Sequence, residues 1–329
     1  GSEVNANNGE YIYIAIRRSD GYVGKPAEVG TDVFAMDTGA GDTSTTIPNY
    51  DSGFPVDFAL SKQPASTSDW YANGRLIGTK ELSPNTTTVE DSSVNYVWDS
   101  NLGWGNGAWQ DSSYQSWMWK RHAGFDVVTM NNLPFGANIP HSLGKTPEMI
   151  IGKNRNNTFV WGVYHKGVNG GTNPEQYRLR LNTNNGQQQV TEAWNNTAPT
   201  ATHFTVGANH TGNSGGADYR PIFFLFASVE GISKVGSYTG NGYAGHTITV
   251  GFQPRFLIVK AATTTSSWSV FDTTRGWISG NDKQLALDSN AAQVTSYDYA
   301  DPTSTGFTIN ITGNAMNGSG ETYIYYAHA

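Results

Sequence analysis

A serine-centred turn, Gly212-Asn-Ser214-Gly-Gly216, is the segment of the chain whose residue types come nearest to a catalytic motif. It fits the Gly-x-Ser-x-Gly pattern in which a sharp turn exposes a serine nucleophile. Related turns stand at Asn317-Gly-Ser-Gly320 and at Asn8-Gly9, each just before a short aromatic strand. A recurring β-turn therefore explains the motif better, and the sequence predicts neither a catalytic residue nor an enzyme.

Other groups that could bind metal ions or cleave glycosidic bonds lack a diagnostic spacing. The histidines form no His-Glu-x-x-His motif, and His203 and His210, on either side of a turn, fit ordinary surface histidines. Glycoside hydrolysis needs two carboxylates about 5 to 9.5 Å apart, and Asp99 with Asp111 is the one pair to examine. No cofactor is predicted. A Ca²⁺ ion held by carbonyls and scattered Asp side chains would leave no motif, so it stays open.

Aromatic and neutral polar side chains give the strongest indication of binding chemistry. Sugars present apolar C–H faces that stack on Trp and Tyr, while Asn, Gln, Ser and Thr supply hydrogen bonds at a lower desolvation cost than ions. Packing beneath long loops and contact with a ligand are equally good explanations for the aromatic residues of the irregular segments. The candidate ligand-binding residues are Tyr96, Trp98, Trp109, Tyr114, Trp194 and Trp277.

A threefold internal repeat must position these residues. Each copy has a Pro-led apolar strand that ends in a lysine, and a tryptophan follows eight residues later; the pairs are Lys62 with Trp70, Lys153 with Trp161, and Lys260 with Trp268. Because the repeat fixes their positions, we expect the tryptophans in the core and the lysines at the rim, with their amino groups in solvent. A leucine strand follows in each copy, at Leu82–Asn85, Leu181–Asn184 and Leu287–Asn290.

The repeat predicts an all-β fold of three tandem β-sandwich-like modules, each about 100 residues long with about six short strands. We assign residues 11–122 to module 1, 123–229 to module 2 and 230–329 to module 3. Residues 1–10 are interpreted as a tag scar and the end of an upstream module, because a fourth aromatic strand stands at 11–15. That strand either belongs to a neighbouring module or pairs with a later one. The alternative to tandem modules, each with its own core, is one pseudo-threefold body.

Composition disfavours several classes of partner. The 329 residues include no cysteine and carry a formal net charge of −7, which argues against binding to nucleic acids or anionic membranes. The absence of cysteine excludes disulfides and thiolate metal sites. No signal peptide opens the chain, and the longest apolar run, around residues 222–227, is far shorter than the roughly 20 residues of a transmembrane helix. Membrane insertion is therefore not expected.

Several phrases in modules 2 and 3 occur in the same order in a known family. They are Pro147-Glu-Met-Ile-Ile, Trp161-Gly-Val-Tyr-His, Trp194-Asn-Asn-Thr-Ala-Pro199, Val229-Glu-Gly-Ile-Ser-Lys-Val-Gly-Ser-Tyr-Thr-Gly-Asn-Gly242, Gly251-Phe-Gln-Pro-Arg-Phe256 and Tyr323-Ile-Tyr-Tyr-Ala327. They resemble the C-terminal repeat region of marine bacteriophage tail-fibre proteins, which often follows lectin-like concanavalin A or SPRY-type domains. The resemblance covers about residues 9–329 and is weakest in the Gly- and Trp-rich stretch 98–119. It implies a virion tail protein, a homotrimer and adhesion to a host cell, and it supplies no catalytic residues.

The sequence thus predicts the distal, receptor-binding part of a phage tail fibre, located at the fibre tip in the virion. The expected partner is a host cell-surface polysaccharide or an outer-membrane receptor, held by many weak contacts acting together. Two alternatives remain open: a structural or trimerising fibre module without binding, and a polysaccharide depolymerase. The irregular stretch 98–119 bears on this choice, because only a binding or enzymatic role requires one copy to differ from the others.

Overall fold

Antiparallel strands make up the regular structure of the chain. The computed structural model describes residues 27–40, 48–92, 96–105, 110–211 and 219–329, which form 23 strands in six sheets. The helical elements in these ranges are four 3₁₀ turns of three or four residues, so the all-β prediction is confirmed. No helix in this part of the chain is long and apolar enough to cross a membrane. The serine turn at 212–216, Trp109 and the aromatic strand at 11–15 lie outside the described residues.

Module 1 pairs a large sheet with a small one. Its strands are β1 (Phe34–Thr38), β2 (Tyr50–Asp51), β3 (Phe58–Lys62), β4 (Tyr71–Gly74), β5 (Glu81–Leu82), β6 (Gly103–Trp104) and β7 (Gln115–Trp119). The large sheet has the order β1-β7-β3-β4-β5, and β2 pairs with β6 in the small sheet. The last strand of the module therefore lies between its first strand and its Pro-led strand, β3.

Module 2 repeats this order with one additional edge strand. Its strands are β8 (Phe125–Thr129), β9 (Asn138–Pro140), β10 (Met149–Asn154), β11 (Gly162–His165), β12 (Tyr177–Arg180), β13 (Gln188–Gln189), β14 (His203–Thr205) and β15 (Pro221–Phe226). The large sheet has the order β8-β15-β10-β11-β12-β13, and β9 pairs with β14. The repeat in the sequence is thus a repeat of sheet topology.

Module 3 has the same large sheet and a three-stranded small sheet. Its strands are β16 (Ser233–Thr239), β17 (His246–Thr249), β18 (Phe256–Ala261), β19 (Ser269–Asp272), β20 (Leu285–Ala286), β21 (Ala300–Thr303), β22 (Gly306–Ile309) and β23 (Thr322–His328). The large sheet has the order β16-β23-β18-β19-β20, and the small sheet has the order β17-β22-β21.

The Pro-led strands begin with an apolar run and are buried along their whole length, because both faces of each large sheet are covered. Successive side chains of a strand point to opposite faces. In β10, Met149 and Ile151 pack in one cluster while Ile150 packs in another. Strands β3 and β18 divide their side chains in the same way. A continuous apolar run is typical of a strand that lies between two cores.

One of these clusters, the common core, contains side chains from all three modules. Near its centre the ring of Phe226 lies 6.4 Å from Trp119 and 4.8 Å from Tyr326, measured between ring centroids, so aromatic residues of the three modules meet. Each module also keeps a separate outer core between its large and small sheets. The three modules therefore form one body around the common core, and each retains an apolar core of its own.

The repeated tryptophans join the modules in a closed cycle. All three are buried as predicted, and each indole Nε1–H donates to a backbone carbonyl of another module. The donor–acceptor pairs are Trp70 to Ala286 (2.8 Å), Trp161 to Ser83 (3.1 Å) and Trp268 to Arg180 (3.0 Å). Module 1 thus donates to module 3, module 3 to module 2, and module 2 to module 1. Each module both supplies and receives one of these bonds.

The repeated lysines lie buried at the same three interfaces, so the prediction that they reach solvent at the rim is wrong. Each has a relative exposure of 0 %. Each amino group donates to a carbonyl of its own module and to one of another module, in the same cyclic order as the tryptophans, and the cross-module pairs are Lys62 to Asn290 (3.2 Å), Lys153 to Thr87 (3.4 Å) and Lys260 to Asn184 (3.2 Å). Burial lowers the pKa of each amino group from 10.5 to about 8. The cationic form is retained at neutral pH because carbonyl oxygens replace water around it.

The leucine strands align differently from the prediction in module 1. The backbone N–H of each repeated tryptophan donates to a side-chain oxygen, and the acceptors are Asn85, Asn182 and Asp288. The residues just before these acceptors are Pro84, Leu181 and Leu287, and all three line a small apolar cavity within the common core. Pro84 therefore occupies the position of the repeated leucine, and Leu82 lies two residues earlier in the strand.

Replacing Trp161 by Phe removes the indole donor that bonds to module 1, while the carbonyl of Ser83 keeps its hydrogen bonds from Thr86. We expect the free energy of unfolding to fall by about 1–3 kcal/mol, because the cross-module hydrogen bond is lost and the smaller ring leaves a space in the common core. Urea denaturation followed by circular dichroism measures the change. Leu102→Ala removes an exposed side chain and should change stability by less than about 0.5 kcal/mol. Equal effects of the two substitutions would contradict the proposed bond.

The free energy of unfolding should depend on pH through the lowered pKa values of the buried lysines. Between about pH 8 and 10.5 the unfolded chain keeps the proton of Lys153 while the folded chain releases it, so the free energy of unfolding rises with pH. Lys153→Met removes this contribution, and its stability should rise less steeply over the interval than that of the wild type. Lys283→Met, at an exposed lysine, should keep the wild-type slope. Urea denaturation at several pH values tests this, and identical slopes for all three proteins would show the prediction to be wrong.

Candidate functional site

The predicted ligand-binding tryptophans of modules 2 and 3 point into the outer cores. Trp194 is 2 % exposed and Trp277 is fully buried. Each indole Nε1–H donates to a backbone carbonyl, from Trp194 to Tyr177 at 3.0 Å and from Trp277 to Ala300 at 2.6 Å. Each ring therefore holds its loop in place from the core side.

The predicted residues of module 1 pack in a similar way. Tyr96 and Trp98 are buried beside Trp104, with ring centroids 5.1 and 5.0 Å from it. The hydroxyl of Tyr96 donates to Glu81 at 2.7 Å, and burial raises the pKa of Tyr96 well above its ordinary value. Tyr114 is half-buried. The predicted residues are distributed over all three modules. Those that are buried pack against other core residues. A ligand-binding role for the six residues stays a prediction.

An open cleft of about 500 Å³ lies on module 2, next to Trp194. We call it the amide cleft. It is lined by Phe135, Gly136, Gln176, Thr191, Glu192, Asn195, Asn196, Gly207 and Ala208. Its volume is within the range of small-ligand sites, about 300–1,000 Å³. The predicted Trp194-Asn-Asn-Thr197 loop is therefore at a surface cleft, but it presents its amides while its tryptophan faces inward.

Left-handed backbone at Asn195 and Asn196 places their side chains at the cleft. Their φ angles are +53° and +47°, a conformation that Asn tolerates better than most residues. The turn is closed by two backbone hydrogen bonds, from Asn196 N–H to the Thr191 carbonyl at 2.9 Å and from Thr197 N–H to the Trp194 carbonyl at 3.1 Å. The turn and the buried indole together fix this loop.

Two glycines let the neighbouring backbone approach the loop. A Cβ atom at Gly207 would lie 1.8 Å from the carbonyl oxygen of Glu192, so a side chain cannot be accommodated there without displacing the loop. Gly136 has a φ of +73°, and a Cβ there would lie 3.4 Å from the amide nitrogen of Asn195. At Gly136 and Gly207, therefore, the cleft next to Asn195 is lined by backbone.

The polar side chains of the amide cleft are available to a ligand. Gln176, Glu192, Asn195 and Asn196 make no side-chain hydrogen bond to the part of the chain that the structure describes. The three amides offer both donors and acceptors, and the half-buried ring of Phe135 adds an apolar surface. Such a set can hold a hydroxylated ligand by directed hydrogen bonds around one apolar contact.

A neutral histidine lies behind the anchoring tryptophan. His210 is fully buried, its ring centroid lies 6.0 Å from that of Trp194, and its Nε2 is 2.6 Å from the hydroxyl oxygen of Tyr219. Burial lowers the pKa of His210 to about 3, so the ring is uncharged at neutral pH. His203 is exposed on β14, whereas the interpretation of His210 as a surface histidine is wrong, because its ring packs in the core against Trp194 and Phe223.

The groups considered for hydrolysis and metal binding are placed as follows. Asp99 and Asp111 are both exposed, and hydrogen bonds from Ser113 lower the pKa of Asp111, whereas a general acid needs a raised pKa. Among the described residues, no three His, Asp or Glu side chains are grouped so that they could hold a metal ion.

Sequence reasoning missed two strongly exposed aromatic side chains among the described residues and most of the cleft. Tyr243 and Tyr297 of module 3 are 75 % and 58 % exposed. Both stand in polar turn segments without a repeated counterpart, which is the signal that could have found them. Gln176 and Glu192 come from segments more than fifteen residues apart, and no local pattern indicates that they share a cleft.

Replacing Gly207 by Ala should displace the loop of the amide cleft. The added Cβ meets the carbonyl of Glu192, so we expect a loss of about 1–3 kcal/mol in the free energy of unfolding, as for other overpacked sites. Urea denaturation measures it. Gly313→Ala is the matched control, because a Cβ there meets no atom within 4 Å. The close contact would be refuted if both variants were equally stable.

Comparison with known proteins identifies the family of the chain. No curated protein and no solved structure matched it. Residues 30–329 match a family described as a domain of unknown function, DUF7483. This match covers most of the chain and includes all three large sheets. The chain therefore belongs to the DUF7483 family.

Proposed function

We propose that this chain is the receptor-binding part of a phage tail fibre and that the amide cleft attaches it to a glycan on the host surface. The observation that carries the proposal is the set of cleft-lining amides of the half-buried Gln176 and the exposed Asn195 and Asn196, whose side chains have no partner among the described residues. Neutral amides bind hydroxyl groups without the large desolvation cost of ions. The resemblance to tail-fibre repeats supports the same function.

Adhesion by such a site depends on several copies acting together. A shallow cleft with a few neutral hydrogen bonds makes a weak single contact, since each such bond contributes only about 0.5–1.5 kcal/mol. Several copies on one virion raise the effective concentration of the second and later contacts. We propose that the chain acts at the fibre tip as a homotrimer, which places three clefts on one fibre.

The two other functions make different demands on this cleft. A structural or trimerising module needs no uncommitted amides at its surface. A depolymerase needs two carboxylates within reach of one bond, whereas Glu192 is the one carboxylate among the described residues that line the cleft. Adhesion without hydrolysis requires only the hydrogen-bonding groups that already line the cleft.

Removing the two loop amides should weaken adhesion. Asn195→Gly combined with Asn196→Gly deletes both side chains and keeps the left-handed backbone free of strain, because glycine adopts it readily. We expect binding to intact host cells and to their extracted polysaccharide to weaken at least about tenfold, from the loss of two or more hydrogen bonds. Fluorescently labelled protein and cells from candidate marine bacteria provide the measurement.

The matched control is Asn132→Gly. Asn132 is also exposed and left-handed, with a φ of +53°, but it does not line the cleft. It should bind like the wild type. Saturable binding that survives the double substitution would move the receptor site elsewhere. A wild-type chain that binds no cell type infected by the parent phage would favour the structural module, and release of reducing ends would favour the depolymerase.

A further inference from the structure

We infer that the amide cleft takes a neutral saccharide and discriminates against carboxylated ones, with Glu192 as the specificity-determining residue. The inference rests on the proposed function, and it names the class of glycan that the cleft binds.

The lining of the cleft combines neutral polar groups with one negative charge. Gln176, Asn195 and Asn196 supply amides, Thr191 supplies a hydroxyl, and Glu192 supplies the charge. The lining residues include no lysine, arginine or histidine. A ligand carboxylate would therefore enter a cleft in which the described lining offers it no cationic partner.

The charge of Glu192 is not neutralised by the protein. Its residue is exposed, and its carboxylate makes no hydrogen bond or ion pair with the described residues. Arg178, on the strand that begins next to Gln176, is buried, and its guanidinium donates to the carbonyl of Asn209 and to Gln188. This cation is held by neutral groups below the surface and does not line the cleft.

The backbone keeps Glu192 at the edge of the cleft. Its carbonyl packs against Gly207, and the turn that follows it closes on Thr191 and Trp194. A bound sugar ring that contacts the amides of Asn195 and Asn196 consequently lies near this carboxylate. Two like charges about 4 Å apart in water repel enough to weaken binding roughly fivefold, and more where water is excluded.

A glycan array with matched pairs tests the inference. Each pair holds a neutral oligosaccharide and the oligosaccharide that differs from it only by carboxylates at C6, such as galactose oligomers and galacturonate oligomers of equal length. We expect the wild type to bind neutral members at least about fivefold more tightly than their carboxylated partners. Added salt should reduce this ratio, because ions screen the repulsion between exposed charges.

Two variants with the same change in net charge separate the role of Glu192 from a general charge effect. Glu192→Gln should bring the ratio of neutral to carboxylated binding close to one. Glu230→Gln, at an exposed glutamate outside the cleft, should leave the wild-type ratio unchanged. Circular dichroism confirms that both variants are folded.

The outcomes distinguish failure of the inference from failure of the proposed function. Equal binding of both members of a pair, tighter binding of the carboxylated member, or an unchanged ratio in Glu192→Gln would overturn the inference. If cell adhesion is still lost in the Asn195→Gly, Asn196→Gly variant, the proposed function stands. A wild-type chain that adheres to no host cell and binds no glycan would overturn both.

Discussion

The fold depends on hydrogen bonds that buried donors of one module make to backbone carbonyls of another module. The indole of Trp161 and the ammonium group of Lys153 both lie out of water, where an unpaired donor is costly. Their cross-module acceptors, Ser83 and Thr87, are carbonyls of module 1. Because the same relation recurs at all three interfaces, each module is completed by its neighbour, and the common core forms only when the cycle is closed.

This arrangement gives the large aromatic side chains a structural role. They fill the common and outer cores, and several indole N–H groups donate to backbone carbonyls, as Trp194 does to Tyr177. In the function that we propose, recognition is left to short neutral side chains on the loops that these rings hold in place. Asn195 and Asn196 follow Trp194 directly, so the indole determines where the two amides stand. An abundance of tryptophan in the sequence thus indicates well-anchored loops more than a stacking surface.

The sequence predicted what depends on local pattern and missed what depends on other modules. The strand types and the burial of Trp70, Trp161 and Trp268 followed from alternation and from the repeat. The burial of Lys62 did not, because a lysine at a strand end is buried only when a carbonyl such as that of Asn290, 228 residues away, is there to receive it. The cleft could not be predicted either, because the outer core determines that the Trp194 side chain points inward and leaves the neighbouring amides at the surface. Pro84, the equivalent of the repeated leucine in module 1, could not be found from the pattern because the residue there is proline instead of leucine.

The closed cycle also constrains the order in which the chain can acquire its structure. The bond from Trp70 to Ala286 spans 216 residues, and the pairing of β18 with β23 brings in the last strand of module 3. During synthesis, the inner faces of modules 1 and 2 consequently remain without their third partner until β23 has left the ribosome. Contacts of such long sequence separation slow folding and leave apolar surface exposed for longer. The cycle can therefore close only after module 3 has been synthesised, and before then the nascent chain can form outer cores but not the complete common core.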